Sequence, residues 1–205
     1  MPIFSADWFT QHIPNWEKIL QDLKGKPNLS FLEIGCYEGM ATLWLLENIL
    51  TAESSHIMVI DPFRQTDGYR RLSEKIYTHN YRETFEANTE PYKNKIIINP
   101  SESFPALIKM HPDYEGTFDF IYVDGLHDSS ACLADMVLSW DLLKDGGIMI
   151  CDDYGWDIDA KEEQKPKMGI DGFLLGYTGE YQLLLKDYQV ALRKRNDGLR
   201  SSRKI

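Results

Sequence analysis

Residues 31–40 read FLEIGCYEGM, and this stretch decides how the chain begins to fold. An apolar run is followed by two glycines four positions apart and then by a helical pattern over Met40–Leu50. A strand that breaks into a glycine loop lets backbone approach a small polar ligand, because glycine has no Cβ and tolerates unusual φ angles. Tyr37 and Met40 occupy the second and third glycine positions of the dinucleotide fingerprint. We therefore expect a ligand other than a pyrophosphate.

The chain has 205 residues, of which 43% are apolar and 26% charged, as expected for one globular domain with its own core. Its net charge of -10 argues against nucleic acid or an anionic membrane as a partner, because both require a basic face. Cys36, Cys132 and Cys151 form no C-x-x-C pair, which favours free thiols. The sequence also shows no secretory signal and no apolar run of membrane length, so we expect a cytoplasmic protein.

Short apolar strands alternate with helical segments along the chain. The predicted strands are Leu29–Ile34, His56–Ile60, Lys95–Ile98, Phe118–Val123, Ile148–Cys151, Tyr181–Lys186 and Tyr188–Leu192. The last two are too closely linked for a parallel crossover, so this pair should be antiparallel. The pattern predicts an α/β fold, with a doubly wound, mostly parallel sheet that has helices on both faces.

The helical segments divide the chain further. The predicted helices lie within residues 1–28 and over Met40–Leu50, Ser103–Met110 and Gly169–Gly176. A further predicted helix is capped by Ser129 or Ser130 and runs to Leu143, and Asp145-Gly146-Gly147 ends it. Residues 64–94 form a polar insertion rich in Tyr and Arg, which could be a lid or a subunit contact that makes a homodimer. Residues 193–205 are predicted to be a solvated basic tail.

Polar residues follow the predicted strands at one edge of the sheet, where ligands collect in such folds. Asp61 ends the second strand, so its carboxylate could accept both hydroxyls of a ribose, or it could be a turn residue before Pro62. Glu33 could bind an amino group of the ligand or brace the amides of the loop. The position of Asp61 beside the loop favours the ribose, whereas the two roles of Glu33 stay open.

Three carboxylates and one histidine follow the fourth and fifth strands: Asp124, His127, Asp152 and Asp153. If these strands are neighbours, the like charges raise one another's pKa or require a cation. Mg²⁺ prefers carboxylate oxygens and keeps water positions open for a substrate hydroxyl, whose proton His127 could accept. The alternative is that the acids and His127 only cap turns and helices.

The ordered motifs resemble class I S-adenosylmethionine-dependent methyltransferases over roughly residues 29–192. The matching segments are the loop 33–39, Asp61, the strand 118–125 and the turn 142–147. The resemblance implies a seven-stranded sheet with a reversed last strand and S-adenosylmethionine as the cofactor. It places the methionine part of the cofactor at Gly35 and Gly39, its ribose at Asp61, and its adenine beside the loop 99–102, which contains Ser101.

Asp124-Gly125-Leu126-His127 together with Asp152-Asp153-Tyr154 resembles the metal-dependent O-methyltransferases, of the catechol type and of the type that methylates sugars of macrolides. This resemblance implies that Asp124, Asp152 and Asp153 bind Mg²⁺, that Asp124 also borders the cofactor, and that His127 is the catalytic base. Asp153 fits the sugar-modifying group better, because the catechol type has Asn there. We expect the acceptor to be a hydroxyl of a small molecule or sugar, and Tyr154 and Trp156 either line its pocket or only pack.

Two other functions fit the same residues. One is a metal-free methyltransferase whose acids cap turns, and a chelator would leave its activity unchanged. The other is a nucleoside-binding or scaffold protein of the same fold that carries out no reaction.

Overall fold

We describe the protein from a computed structural model that defines residues 1–64, 81–156, 161 and 165–196. Its strands are β1 (Ser30–Ile34), β2 (His56–Ile60), β3 (Ile96–Asn99), β4 (Phe118–Val123), β5 (Leu143–Cys151), β6 (Tyr181–Lys186) and β7 (Val190–Lys194). They form one sheet in the order β3-β2-β1-β4-β5-β7-β6. Strands β1 to β5 are parallel, and β7 runs antiparallel to both of its neighbours. The predicted fold class is confirmed.

The helices cover both faces of this sheet. They are α1 (Ile13–Leu20), α2 (Met40–Asn48), α3 (Tyr81–Thr89), α4 (Ser103–Tyr114), α5 (Ser129–Leu142) and α6 (Pro166–Gly176), with 3₁₀ turns at Thr10–His12 and Glu90–Lys95. Helix α3 and the second 3₁₀ turn belong to the predicted insertion 64–94, of which residues 65–80 lie outside the described residues. The predicted basic tail does not begin at residue 193, because Arg193 and Lys194 belong to β7 and Lys194 is buried. Residues 197–205 of the predicted tail lie outside the described residues.

Two apolar cores explain why the strands read as continuous apolar runs. Trp16 and Phe85 lie in the core on one face of the sheet, together with residues of α2. Trp140 and Phe173 lie in the core on the other face, together with residues of α4. Because both faces are covered, side chains of either orientation are buried, and all five residues of β1 are buried.

The start of β5 differs from the prediction, whereas the end of α5 agrees with it to within one residue. The helix ends at Leu142 and the strand begins at Leu143, so Gly146 and Gly147 lie within β5 instead of ending the helix. The buried Lys194 on β7 donates hydrogen bonds from Nζ to the carbonyl oxygens of Trp140 and Leu143. This distant lysine satisfies carbonyls at the helix end, which a local glycine signal does not reveal.

The start of α5 also differs from the prediction. Asp128 is the N-cap, since its Oδ1 accepts a hydrogen bond from the backbone N–H of Ala131 at 2.9 Å. Ser129 is the first helical residue, and the Ser130 hydroxyl donates to the same Asp128 oxygen at 2.8 Å. An aspartate stabilises the positive end of the helix through its charge as well as its hydrogen bond, so it is the stronger cap here.

The strand order reverses between β1 and β4, and their carboxyl ends lie side by side. The backbone N–H of Asp124 donates to the carbonyl oxygen of Ile34 at 2.8 Å, and that of Asp152 donates to Val123 at 3.0 Å. The ends of β1, β4 and β5 therefore form one continuous edge, which is where a ligand binds in such sheets. In the part of the chain that the structure describes, no helix is long and apolar enough to cross a membrane.

Helix α6 contacts α5 so closely that one of its glycines cannot carry a side chain. A Cβ on Gly169 would overlap the carbonyl oxygen of Ser129, whereas a Cβ on Gly172 of the same helix would meet Leu133 only at 3.9 Å. We expect Gly169→Ala to lower the free energy of unfolding by about 1 to 3 kcal/mol, because the two helices must separate.

Gly172→Ala is the matched control for this prediction. We expect it to leave stability unchanged or raise it by up to about 1 kcal/mol, because alanine favours helix more than glycine does. Urea denaturation followed by circular dichroism measures both variants. Equal stability of the two would show that the helices do not pack at the distance described.

Candidate active site

The glycines of the loop are required first by the packing of the protein itself. Gly35 has a φ of +80°, and a Cβ there would overlap the backbone carbonyl of Asp124. Gly39 has a φ of +84°, and a Cβ there would lie 2.8 Å from the ring of Phe85 on α3. Gly35 thus lets the end of β1 approach the end of β4, and Gly39 lets α3 pack against the loop. The unusual φ angles agree with the prediction, but the close approach at each glycine is to the protein itself and not to a ligand.

Asp61 organises the glycine loop from the end of β2. Its Oδ2 accepts hydrogen bonds from the backbone N–H groups of Cys36 and Tyr37 at 2.9 and 3.0 Å, and its Oδ1 accepts one from Phe63 at 2.7 Å. Burial raises the pKa of Asp61, and these three backbone hydrogen bonds oppose the increase. Bracing of the loop amides, which the sequence left open for Glu33, is therefore carried out by Asp61.

Glu33 lies beneath the loop on β1 and is only 1% exposed. Its Oε2 accepts a hydrogen bond from the Thr42 hydroxyl on α2 at 2.5 Å. Burial raises the pKa of Glu33 to about 8, and the nearby carboxylates of Asp124 and Asp61 add to the increase. A proton is therefore retained on Glu33 at neutral pH.

Residues 3–5 also contact the glycine loop, and this contact was not predicted from the sequence. The backbone N–H of Ser5 donates to Oε2 of Glu38 at 2.7 Å. The amide of Asn88 on α3 donates to the carbonyl oxygens of Ile3 and Glu38, both at 2.9 Å. Residues 3–5 and α3 therefore hold the loop between them.

The acid cluster, which comprises Asp124, His127, Asp152 and Asp153, lies at the ends of the adjacent strands β4 and β5. Nε2 of His127 is 3.4 Å from Oδ1 of Asp124 and 3.3 Å from Oδ2 of Asp153. Among the described residues, these three side chains form a group whose potential ligand atoms all lie within 4.8 Å of one another. The structure thus brings Asp124, His127 and Asp153 together, although they follow two different strands.

Asp152 lies beside this group with its carboxylate turned toward β4. Its Oδ2 accepts a hydrogen bond from the hydroxyl of Tyr122, which also lies 3.2 Å from Oδ2 of Asp124. Its Oδ1 accepts one from the backbone N–H of Asp153 at 2.7 Å. Tyr122 was not predicted as a site residue. It lies two residues before Asp124, and the alternation of side chains along a strand places both on the same face.

The backbone of Asp153 is strained in a way that presents its side chain to the cluster. Its φ of +59° lies in the left-handed region, which costs a residue other than glycine about 1 kcal/mol or more. Its Oδ1 accepts a hydrogen bond from the Tyr188 hydroxyl at 3.0 Å, while Oδ2 faces His127. Strain of this kind is typical of functional positions.

The ionisable groups of the cluster shift one another's pKa values. Burial and the charge of Asp152 raise the pKa of Asp124, and burial also raises that of Asp153. Burial alone would lower the pKa of His127, but the surrounding carboxylates outweigh it and raise the pKa to about 9. In this structure, the imidazolium of His127 is therefore the counter-charge of the carboxylates.

The cluster also has the donor chemistry and the space that a small hard cation requires. Carboxylate oxygens are the preferred protein ligands of Mg²⁺. A cavity of about 10 Å³, the size of one water molecule, lies between Asp124, His127, Asp135 and Asp153. The residues present therefore fit a divalent ion.

The remaining predicted residues, Ser101, Tyr154 and Trp156, lie at the edges of the site. Ser101 follows β3, and its backbone N–H donates to Asn99 at 2.9 Å. The Tyr154 hydroxyl donates to Asp171 on α6 at 3.1 Å, so Tyr154 takes part in packing. The ring of Trp156 contacts that of His127 edge-on, with centroids 5.2 Å apart, so Trp156 packs beside the cluster.

Comparison with known families identifies residues 32–154 as a match to a family described as a methyltransferase domain. This range contains the glycine loop, Asp61 and the acid cluster, and it confirms the resemblance found in the sequence. No curated protein sequence matches the chain significantly.

Many solved structures share the fold at low sequence identity. An O-methyltransferase from Bacillus cereus in complex with SAH is 16% identical, with a TM-score of 0.67 over 93% of this chain and 84% of that one. A protein from Corynebacterium glutamicum is 12% identical, with a TM-score of 0.66 over 95% and 84%. MycE from the mycinamycin biosynthetic pathway, in complex with Mg, SAH and mycinamycin VI, is 15% identical, with a TM-score of 0.63. The match covers 94% of this chain but only 52% of MycE.

The buried Glu33 should make stability depend on pH. Its folded-state pKa of about 8 lies above the ordinary value of 4.5, so its contribution is fully present below pH 4.5 and is lost as the pH rises through about 8. We expect Glu33→Gln, which keeps an acceptor for Thr42, to lose less stability than the wild type between pH 5 and pH 8. The difference should reach a few kcal/mol.

Thermal and urea unfolding over this pH range measure the difference. Glu47→Gln, which removes an exposed acid from α2, is the control and should follow the wild type. Parallel pH profiles for Glu33→Gln and the wild type would contradict the raised pKa.

Proposed function

The chain belongs to the methyltransferase-domain family, and we propose that it transfers the methyl group of S-adenosylmethionine to a hydroxyl of a small molecule or sugar with the help of Mg²⁺. One observation carries this proposal: Asp124, His127 and Asp153 converge at the ends of two strands, directly beside the glycine loop. A cofactor in the loop and an ion in the cluster would then share one crevice.

The loop and the end of β2 support S-adenosylmethionine as the cofactor. We assign the methionine part to the loop that carries Gly35 and Gly39, because these glycines let the loop pack against Asp124 and Phe85 in the conformation described. Asp61 accepts three backbone hydrogen bonds, and a carboxylate has about four acceptor positions, so one remains for a ribose hydroxyl. We assign Ser101 to the adenine edge and Asp124 to the border between cofactor and ion. The related structures from Bacillus cereus and MycE contain SAH, which agrees with this assignment.

The acid cluster supports Mg²⁺. We assign Asp124, Asp152 and Asp153 as the residues that hold it, because three carboxylates lie together at the ends of β4 and β5 and carboxylate oxygens are the ligands that Mg²⁺ prefers. When bound, the ion would lower the pKa of an acceptor hydroxyl and replace the imidazolium as the counter-charge of the carboxylates. MycE, which shares the fold, contains Mg in its complex.

His127 is the general base of the proposed reaction. With an ion as the counter-charge of the carboxylates, the imidazole would be neutral and its Nε2 would accept the proton of the acceptor hydroxyl. The oxygen attacks the methyl carbon, and a C–O bond forms while the bond from carbon to sulfur breaks. The sulfonium leaves as the neutral thioether of S-adenosylhomocysteine. Trp156 restricts where the acceptor can lie beside His127, and holding the two reactants in line supplies much of the rate.

The proposal also covers the compartment and the class of partner. We propose a cytoplasmic enzyme, because Cys36, Cys132 and Cys151 are buried free thiols, as is typical of a reducing compartment. Its partner is a small molecule rather than nucleic acid or a membrane, since the net charge is -10. Homodimerisation through the insertion 64–94 stays a prediction.

The metal proposal predicts a loss of activity on chelation. Transfer of a radiolabelled methyl group to a panel of catechols and glycosides should fall at least 100-fold with excess EDTA and return with Mg²⁺. Asp124→Asn should lose activity to a similar extent, and His127→Gln should lose about 100-fold or more while still binding the cofactor. Full activity in EDTA would favour the metal-free alternative.

The cofactor proposal predicts binding without an acceptor. Calorimetry should show that S-adenosylhomocysteine binds the wild type, and that Asp61→Asn binds it at least 10-fold more weakly, since an amide cannot accept from two backbone N–H groups and a ribose together. Asp113→Asn, an exposed change on α4, is the control. If the wild type binds no S-adenosylhomocysteine, the scaffold alternative is favoured instead.

A further inference from the structure

We propose that Tyr122 and Tyr188 are positioning residues that fix the spacing of the acid cluster, and that the N-terminal helical segment holds both rings in place. This inference rests on the proposed function, because it concerns how the acids bind a divalent ion. It assigns a role to two tyrosines and to a segment that the cofactor and metal assignments leave unexplained.

Tyr122 connects the two strands that carry the acids. It lies on β4 and is only 2% exposed. Its hydroxyl donates to Oδ2 of Asp152 and lies 3.2 Å from Oδ2 of Asp124. One hydroxyl therefore contacts carboxylates from both β4 and β5, and it opposes the repulsion that would otherwise separate them.

Tyr188 has the same role for Asp153. It lies between β6 and β7, and its hydroxyl donates to Oδ1 of Asp153 at 3.0 Å. Its carbonyl oxygen also accepts a hydrogen bond from the backbone N–H of Gly155 at 3.0 Å. The turn that carries Asp153 is thus attached to the β6–β7 connection at two points, which supports the strained backbone of that residue.

The N-terminal helical segment, residues 10–20, contacts both tyrosines. Trp16 on α1 packs edge-on against Tyr122 with ring centroids 4.8 Å apart, and its Nε1 donates to Oε1 of Gln189 at 2.7 Å. The ring of His12 lies 5.2 Å from that of Tyr188. A single segment far away in sequence therefore fixes the rings from which both hydroxyls extend.

The hydroxyls can be separated experimentally from the packing of the rings. The hydroxyl hydrogen bonds described for Tyr122 and Tyr188 go to the acids, whereas their rings contact aromatic side chains. Phenylalanine keeps the ring and removes only the hydroxyl. A change in ion affinity on this substitution therefore reports positioning and not loss of the core.

The test measures Mg²⁺ binding by isothermal titration calorimetry to the full chain, without any acceptor. We expect Tyr122→Phe and Tyr188→Phe each to weaken Mg²⁺ binding by about 10-fold or more, as for other groups that orient metal ligands. Tyr181→Phe is the matched control, because its hydroxyl donates to the carbonyl oxygen of Leu174 at 3.0 Å, away from the cluster. It should bind Mg²⁺ within twofold of the wild type.

The outcomes separate this inference from the proposed function. If both variants bind Mg²⁺ as the wild type does while Asp124→Asn does not bind it, the metal site stands and the positioning role is overturned. If the wild type binds no Mg²⁺, the metal proposal fails and the inference fails with it. Near-UV circular dichroism checks that each variant is folded, and the half-buried Tyr188 gives a second test should Tyr122→Phe be poorly folded.

Discussion

The close approach of β1 to β4 at Gly35 is the constraint on which the site depends. A side chain at that position would overlap the backbone of Asp124, so the glycine loop and the first acid of the cluster can be neighbours only because residue 35 lacks a Cβ. The reversal of strand order at this point opens the crevice, and the close approach makes it narrow. A cofactor and an ion bound there would necessarily lie close together.

Burial of carboxyl groups is the second feature that links fold and chemistry. Glu33, Asp61 and Asp124 lie at the ends of three adjacent strands, and burial raises the pKa of each. The protein compensates each in a different way, with a hydroxyl donor for Glu33, backbone N–H groups for Asp61 and an imidazolium for Asp124. Of these, the imidazolium is the compensation that a metal ion could replace without rebuilding the backbone.

Some features were readable from local sequence and others were not. The strand ends were predicted well, because apolar runs interrupted by acids are a local signal that needs no partner. The start of β5 was predicted wrongly, at Ile148 instead of Leu143, since the Lys194 that contacts the carbonyl oxygens of Trp140 and Leu143 is on β7, about fifty residues later. The hydrogen bonds of Asp61 to the loop were not predicted, because they arise only when β1 and β2 pair.

The sequence by itself determined the parallel sheet, its reversed strand and the set of acids at one edge, since alternating apolar strands and helices permit few other arrangements. Only the tertiary structure decided which of those acids meet, and that Tyr122 and Tyr188 orient them. The physical reason is distance along the chain. Hydrophobic periodicity can be read from a window of about ten to fifteen residues. The contacts of Trp16 with Tyr122 and of Tyr188 with Asp153 instead join segments that only the completed sheet brings together.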